Sequence, residues 1–311
     1  MIYSGNVKDL FLAQLREWDL ARVNYKLLSD VKIKEFRFNN FTVLVQFNPE
    51  RIKSSSASVD KRSLDLRPCF LCGKNRPLQQ KELKVAGNLV ILVNPFPIFP
   101  QHITVPSIEH SDQRIKNNFN LMLDLAESLP DFVIFYNGPQ CGASAPDHFH
   151  FQAGNRGFLP LEADYEEKKH VTRLSSRKLV EFWHWQDYLR GMMTLVGRNR
   201  EDLLHIFDSF YEEFLKIQPD KPEPMLNILA YYENRNWIVH IIPRRVHRPE
   251  QFFAEGENRI MISPASVDLG GVIITPREAD FKNITADTIE DIFRQVCLTD
   301  EEVIGLFEHV I

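Results

Sequence analysis

The stretch Gly142-Ala143-Ser144-Ala145-Pro146-Asp147-His148-Phe149-His150-Phe151-Gln152 is the richest in side chains that could do chemistry. On an extended strand alternate side chains share a face, so His148, His150 and Gln152 point one way while Phe149 and Phe151 enter the opposite, apolar layer. Two imidazoles and an amide then converge. An imidazole held in one tautomer by a neighbour can attack phosphorus and form a covalent nucleotidyl-histidine, which splits one hard phosphoryl exchange into two easier steps. Gln152 could hold a phosphate oxygen but cannot act as an acid. A bare His-x-His is more often a pair of ordinary core or surface residues. Here Gly142 and Ser144 add a flexible backbone and a hydroxyl, as a phosphate-binding loop requires.

Cys69-Phe70-Leu71-Cys72-Gly73-Lys74 supplies half of a tetrahedral zinc site and needs two more ligands. A single CxxC also arises by chance or as a redox pair. His110 and His148 are the candidates to complete the set. His102 competes, but it is expected inside a strand, whereas His110 sits at a strand-to-helix corner. Cys141 and Cys297 have no ligand-like neighbours and read as small buried hydrophobes.

These residues need elements to position them. Apolar spacing predicts a helix over Val7–Ala21 and, around an Asn39-Asn40 turn, a hairpin of Val31–Phe38 and Phe41–Phe47. Residues 48–65, with Ser54, Ser55, Ser56 and Ser58 beside Lys53, Lys61 and Arg62, read as a positively charged loop, either phosphate-facing or simply solvated. Strands follow at Asn88–Val93 and His102–Val105, a helix at about Asp112–Ser128, and strands at Phe132–Tyr136 and His148–Gln152. The second half repeats that order with strands near Leu179–Trp185 and Met192–Val196, a helix near Arg200–Lys216, and strands Leu226–Tyr232 and Trp237–Pro243. A further helix is expected near Thr285–Val296. The economical reading is an α+β fold of two duplicated units, residues 1–157 and 158–311, forming a pseudo-dimer in one chain.

Composition bounds the answer. With 311 residues, 44% hydrophobic and 25% charged, the chain is an ordinary globular protein. No apolar run approaches the roughly 20 residues needed to span a bilayer, and the N-terminus lacks a secretion pattern, so a cytoplasmic, membrane-free protein is expected. Four cysteines are too few for a disulfide scaffold, and a net charge of −5 argues against a general nucleic-acid binder.

The residues resemble the histidine-triad superfamily in its transferase branch, which holds galactose-1-phosphate uridylyltransferases, dinucleoside-tetraphosphate phosphorylases and GDP-hexose phosphorylases. Phe47-Asn48-Pro49-Glu50-Arg51 is similar to the segment that places an arginine on the nucleotide phosphates, and Asn94-Pro95-Phe96 to the nucleoside-contact segment. Pro68-Cys69-Phe70-Leu71-Cys72-Gly73 resembles the zinc knuckle, and Glu109-His110-Ser111 the third-ligand motif. Asn137-Gly138 with His148-Phe149-His150-Phe151-Gln152 is similar to the active-site strand, whose second histidine is the nucleophile and whose first can bind zinc. Ser263-Pro264-Ala265 and the Leu269-Gly270-Gly271 to Asp280 stretch look most like the GDP-hexose phosphorylases. Ser144 lies one residue further from the first histidine than its uridylyltransferase counterpart. The second half keeps only His240, so one active unit per chain is expected. Arg244, Arg245 and His247 could reach substrate phosphates or form an exposed basic turn.

The resemblance implies ping-pong nucleotidyl transfer, with His150 as nucleophile, Arg51 and Ser144 steadying the oxyanion, Gln152 holding the phosphoryl group and Asn137 orienting His150. Asn94, Phe96 and Gly138 would contact the nucleotide, and Cys69, Cys72, His110 and His148 a structural zinc. The substrate would be a nucleotide sugar or dinucleotide, with phosphate or a sugar phosphate as acceptor, acting on a monomer or homodimer. The alternatives are a dinucleoside polyphosphate phosphorylase or hydrolase and a non-catalytic nucleotide-binding module.

Overall fold

The computed structural model describes residues 4–52, 61–85 and 87–311, so the serines and Lys53 of the charged loop lie outside the described residues. The strands in chain order are β1 (Lys32–Phe38), β2 (Phe41–Phe47), β3 (Glu82–Val85), β4 (Leu89–Val93), β5 (His102–Pro106), β6 (Phe132–Asn137), β7 (His150–Asn155), β8 (Val171–Arg177), β9 (Val180–Trp185), β10 (Met193–Gly197), β11 (Leu226–Glu233), β12 (Asn236–Pro243) and β13 (Val272–Thr275).

Ten of them form one antiparallel sheet in the order β3-β4-β5-β7-β6-β11-β12-β10-β9-β8. Read inward from either edge, the two halves have the same order: β3-β4-β5-β7-β6 and β8-β9-β10-β12-β11. They meet where β6 pairs with β11, with Asn137 opposite Asn227 and Phe135 opposite Leu229. The fold is therefore α+β with duplicated units sharing a single sheet. Each unit sends one helix, Phe119–Ser128 or Arg200–Ile217, across the same sheet face. The rings of Phe119 and Phe207 stack there with centroids 3.9 Å apart, and each buried ring contributes roughly 1.5–3 kcal/mol of transfer free energy.

The other face carries hairpin β1–β2 and β13. Hairpin β1–β2 turns through Asn39 and Asn40, both at positive φ, which a two-residue hairpin turn of this hand requires. β13 then pairs in parallel with β2, with Ile273 opposite Val45, so a segment from the end of the chain is tied to its start. Phe41, Val43 and Val45 pack with Phe135, Leu229, Val267 and Ile273 in the second core.

Three expectations need correction. The N-terminal helix is two helices, Ser4–Glu17 and Asp19–Leu28, because Trp18 at φ −124° and ψ 102° leaves the helical region. The helix expected from Asp112 begins at Phe119, because residues before it give their polar groups to the site: the Gln113 amide N–H goes to Pro146 O and that of Ile115 to Glu223. The strand expected from His148 starts at His150, since the His148 amide closes a turn onto Ala145 O. No helix among the described residues is long and apolar enough to cross a membrane.

Candidate active site

β7 begins the site. The backbone N–H of His150 donates to Gln113 Oε1 (2.8 Å), and Gln113 Nε2 returns hydrogen bonds to the carbonyls of His150 (2.9 Å) and Asn137 (3.0 Å). One buried amide thus links the ends of β6 and β7. The His150 ring is fixed by its own chain, since Nδ1–H donates to the His148 carbonyl at 2.8 Å. Nε2 keeps its lone pair and has no partner among the described residues. Burial pulls the imidazole down to about 4, so the ring is neutral near pH 7.

His150 lines a cavity of about 520 Å³. Its wall also includes Gln152, Asn137, Ser144, Gly142, Arg51, Asn94 and Phe96. Of the residues the sequence singled out for substrate, Gly138 is the one missing from that wall, because its amide is spent on Leu226 O (3.1 Å) in the turn after β6. Arg51 follows β2 and donates to the Phe96 carbonyl (2.9 Å), while Asn94 accepts from the Phe96 amide (2.9 Å) and donates to Thr104 (3.1 Å). The expected bond from Asn137 to His150 is not made.

Asn137 turns instead toward the second unit. Its Oδ1 accepts from Asn227 Nδ2 (2.9 Å) and the Ser266 amide (2.8 Å), with the Ser266 hydroxyl at 2.7 Å. Gln152 Oε1 accepts from His102 Nε2 at 3.0 Å. The segment bearing Ser266 reaches the site because Gly142 has φ +91°, and a Cβ there would lie 2.5 Å from Ala265 Cβ. Only glycine permits both the conformation and the approach. Asp268 closes that segment by accepting from the amides of Ala265 (2.9 Å) and Ile274 (3.0 Å), and burial pushes its carboxyl up to about 6.

Cys69, Cys72, His110 and His148 lie with their ligand atoms within 4.8 Å of one another. The Nδ1 atoms of the two histidines are 3.2 Å apart, and each is 3.2 Å from a different sulfur: His148 from Cys69, His110 from Cys72. His148 Nε2 lies 2.8 Å from the Ser107 carbonyl, which fixes that nitrogen as the donor and leaves Nδ1 with a lone pair aimed into the quartet. Sulfurs and ring nitrogens this close share either protons or a cation, and bonds of 2.0–2.3 Å to a tetrahedral ion would give edges of roughly 3.3–3.8 Å. The quartet could therefore hold a metal ion.

Several contributors escape a reading of local sequence. Arg67 lines the cavity and donates to Asp147 (3.0 Å) and the Ser144 carbonyl (3.2 Å). Ser263, Ala265, Val267 and Asp268 line it from the far end of the chain. Arg244, expected either to reach substrate phosphates or to form part of an exposed basic turn, is fully buried. Its donors go to Asn227 Oδ1 (2.6 Å) and to the carbonyls of Val296, Pro264, Val246 and His247. Within β12, His240 is buried against Tyr165, Trp185 and Tyr231 and takes the Thr194 hydroxyl on Nδ1 (2.7 Å), so it is a packed core histidine.

Comparison with known proteins follows the two halves. Residues 10–155 match the family described as a domain of unknown function (DUF4922), and residues 165–311 match the GDPGP1-like, C-terminal domain. A galactose-1-phosphate uridylyltransferase of Halalkalibacterium halodurans is 28% identical over 121 residues, 38% of this chain, and the match spans 23% of that relative's length. Among solved structures, yeast Ap4A phosphorylase Apa2 in complex with Ap4A superposes with TM-score 0.64 at 18% identity, over 96% of this chain and 99% of that one. The same enzyme in complex with AMP gives 0.60 at 17% identity, over 95% and 97%.

Proposed function

We propose that this chain, which resembles the histidine-triad superfamily in its transferase branch, is a nucleotidyltransferase acting on a nucleoside-diphosphate sugar through a covalent nucleotidyl-histidine. The observation that carries this reading is His150: a buried, neutral imidazole on the cavity wall whose Nδ1 proton is held by His148 O at 2.8 Å while Nε2 is left without a partner among the described residues. Its lone pair attacks the α-phosphorus. The phosphorus–oxygen bond to the sugar phosphate breaks, and that group leaves with the bonding pair. An oxygen of phosphate or of a second sugar phosphate then attacks the same phosphorus, and the nitrogen recovers its lone pair.

Arg51, Arg67 and Ser144 surround the cavity with donors for phosphate oxygens, and Gln152 and Asn137 face it with amides. Glutamine at 152, in place of a further histidine, gives the intermediate no adjacent proton donor, so transfer is favoured over hydrolysis. Residues 1–157 carry the reacting groups, and residues 158–311 complete the cavity wall. Zinc held by Cys69, Cys72, His110 and His148 would be structural, since four protein ligands leave no open position.

A dinucleoside polyphosphate is the second reading, favoured by Phe70. That ring is 48% exposed on the cavity wall, with the Arg67 guanidinium 5.2 Å from its centroid, placed to stack a second base. Incubation with a panel of GDP-, UDP- and ADP-sugars and diadenosine tetraphosphate, with and without phosphate, separates the two. Phosphate-dependent release of a nucleoside diphosphate from one sugar nucleotide supports the first, and release only from the dinucleotide supports the second. Binding without release from any of them contradicts both.

A further inference from the structure

The two amides that share the cavity wall with His150 have a polarity fixed by their hydrogen-bond partners. An arginine can only donate, and so can a backbone N–H. Arg244 Nη1 donates to Asn227 at 2.6 Å, so the atom of Asn227 facing it is Oδ1 and its other atom is the NH2. That NH2 donates to Asn137 at 2.9 Å, so the atom of Asn137 facing β11 is Oδ1. The Ser266 backbone N–H, at 2.8 Å from the same oxygen, reaches that assignment independently. Asn137 Nδ2 is then the end left for the cavity, and it has no partner among the described residues.

The second relay has the same logic. The Ile98 amide donates to His102 Nδ1 at 3.1 Å, so His102 carries its proton on Nε2. Nε2–H donates to Gln152 at 3.0 Å, so that atom of Gln152 is Oε1. Its Nε2 is left for the cavity and likewise has no partner among the described residues. His102 is fully buried and pulled down to about 3 by burial and by Arg51, so the ring stays neutral and the relay keeps its direction near pH 7.

We infer that His102 and the Arg244–Asn227 pair are positioning residues that lock Gln152 and Asn137 with their N–H groups left for the cavity that His150 also lines, forming a pair of donors suited to the oxygens of a phosphoryl group. This inference rests on the nucleotidyl-transfer reading and deepens it by saying what orients the phosphoryl group. The oxygens of a phosphoryl group are acceptors. An amide turned the other way would face them with its own lone pairs and repel the group it should hold. Asn227 lies in β11 and Arg244 just beyond β12, so the half of the chain without a nucleophile sets the polarity of the other half's site.

Asn227→Asp tests the first relay with little change in shape. A carboxylate still accepts from Arg244 but cannot donate to Asn137, so it sets its oxygen against Asn137 Oδ1, which the Ser266 N–H and hydroxyl continue to hold, and the repulsion pushes the amide out of its place on the cavity wall. Orthovanadate, which adopts the five-coordinate geometry of phosphorus under attack, is the probe, and calorimetric titration of the full chain needs no turnover. Asn137→Ala should weaken vanadate binding about tenfold or more, Asn227→Asp should weaken it at least as much, and the double variant should be no weaker than the weaker single variant. Wild-type-like affinity in Asn227→Asp, a further multiplicative loss in the double variant, or no vanadate binding by the wild type would overturn the inference.

Should the melting curve show Asn227→Asp unfolded, His102→Phe decides by the same criteria. It keeps the ring packing against Phe99 and Phe135 and removes the donor to Gln152, with Gln152→Ala as its reference. The inference and the reading beneath it fail separately. Non-additive vanadate cycles without a nucleotide adduct on His150 would leave the anion seat and remove the nucleotidyl reading. An adduct with additive cycles would do the reverse.

Discussion

The carbonyl of His148 accepts the Nδ1 proton of His150 at 2.8 Å, while the His148 ring turns its own Nδ1 toward Cys69, 3.2 Å away. The residue that would bind metal therefore also holds the proposed nucleophile in the tautomer that leaves its Nε2 lone pair free, through its backbone. A structural ion placed there would act on the proposed reaction without touching the substrate.

Loss of that ion should slow the first step and leave the nucleophile intact. Chelation, or Cys69→Ser, should lower the rate of adduct formation by roughly 10–100-fold, the usual range when support for a metal site is lost. The stoichiometry of adduct at long times should stay near that of the wild type. An unchanged rate in a sample shown to be metal-free would separate the quartet from the site.

Acidification should leave the nucleophile unaffected until well below neutrality. With His150 near 4, only about 1% of the ring is protonated at pH 6. Single-turnover adduct formation should therefore show no loss attributable to this group between pH 8 and pH 6. Stability carries the same signature with a definite sign. The unfolded ring, near 6.5, takes up its proton before the folded one. The stability of the wild type relative to His150→Asn should thus be fully present above about pH 6.5 and decline as pH falls toward 4. A relative stability that rises on acidification would show the ring to be charged when folded.

Packing behind the site leaves no room for a methyl group at Gly154. A Cβ there would lie 2.1 Å from the Phe99 ring, which packs on His102 and Phe135. Gly154→Ala should cost about 1–3 kcal/mol through displacement of that ring, seen as a drop of several degrees in the melting temperature. A melting temperature equal to that of the wild type would mean that Phe99 has space to move.

The sequence carries its short-range information openly. The repeated order of strand, strand, helix, strand, strand is visible because each element is long and periodic, and the metal quartet and His150 are visible because their chemistry is written in residue type and spacing. What escapes is carried by distance along the chain. Ser266 meets Asn137 across 129 residues and Asn227 meets it across 90, and nothing local marks either residue. Arg244 looks like part of a basic turn with Arg245 and His247, and only the fold shows that carbonyls from Val246, His247, Pro264 and Val296 surround it. β3 is missed for the opposite reason: Glu82-Leu83-Lys84-Val85 is a short edge strand with exposed charges, which blunt the edge but also blur the pattern.

The proposed mechanism stands on a covalent bond between His150 and the nucleotide. The most direct measurement is to mix the purified protein with an α-32P-labelled nucleoside-diphosphate sugar, quench in alkali to preserve a phosphoramidate, and locate the label by peptide mass spectrometry. Label on the peptide containing His150 in the wild type, and none in His150→Gly, is the predicted result. Label that survives in His150→Gly, or that maps to another residue, would contradict the account.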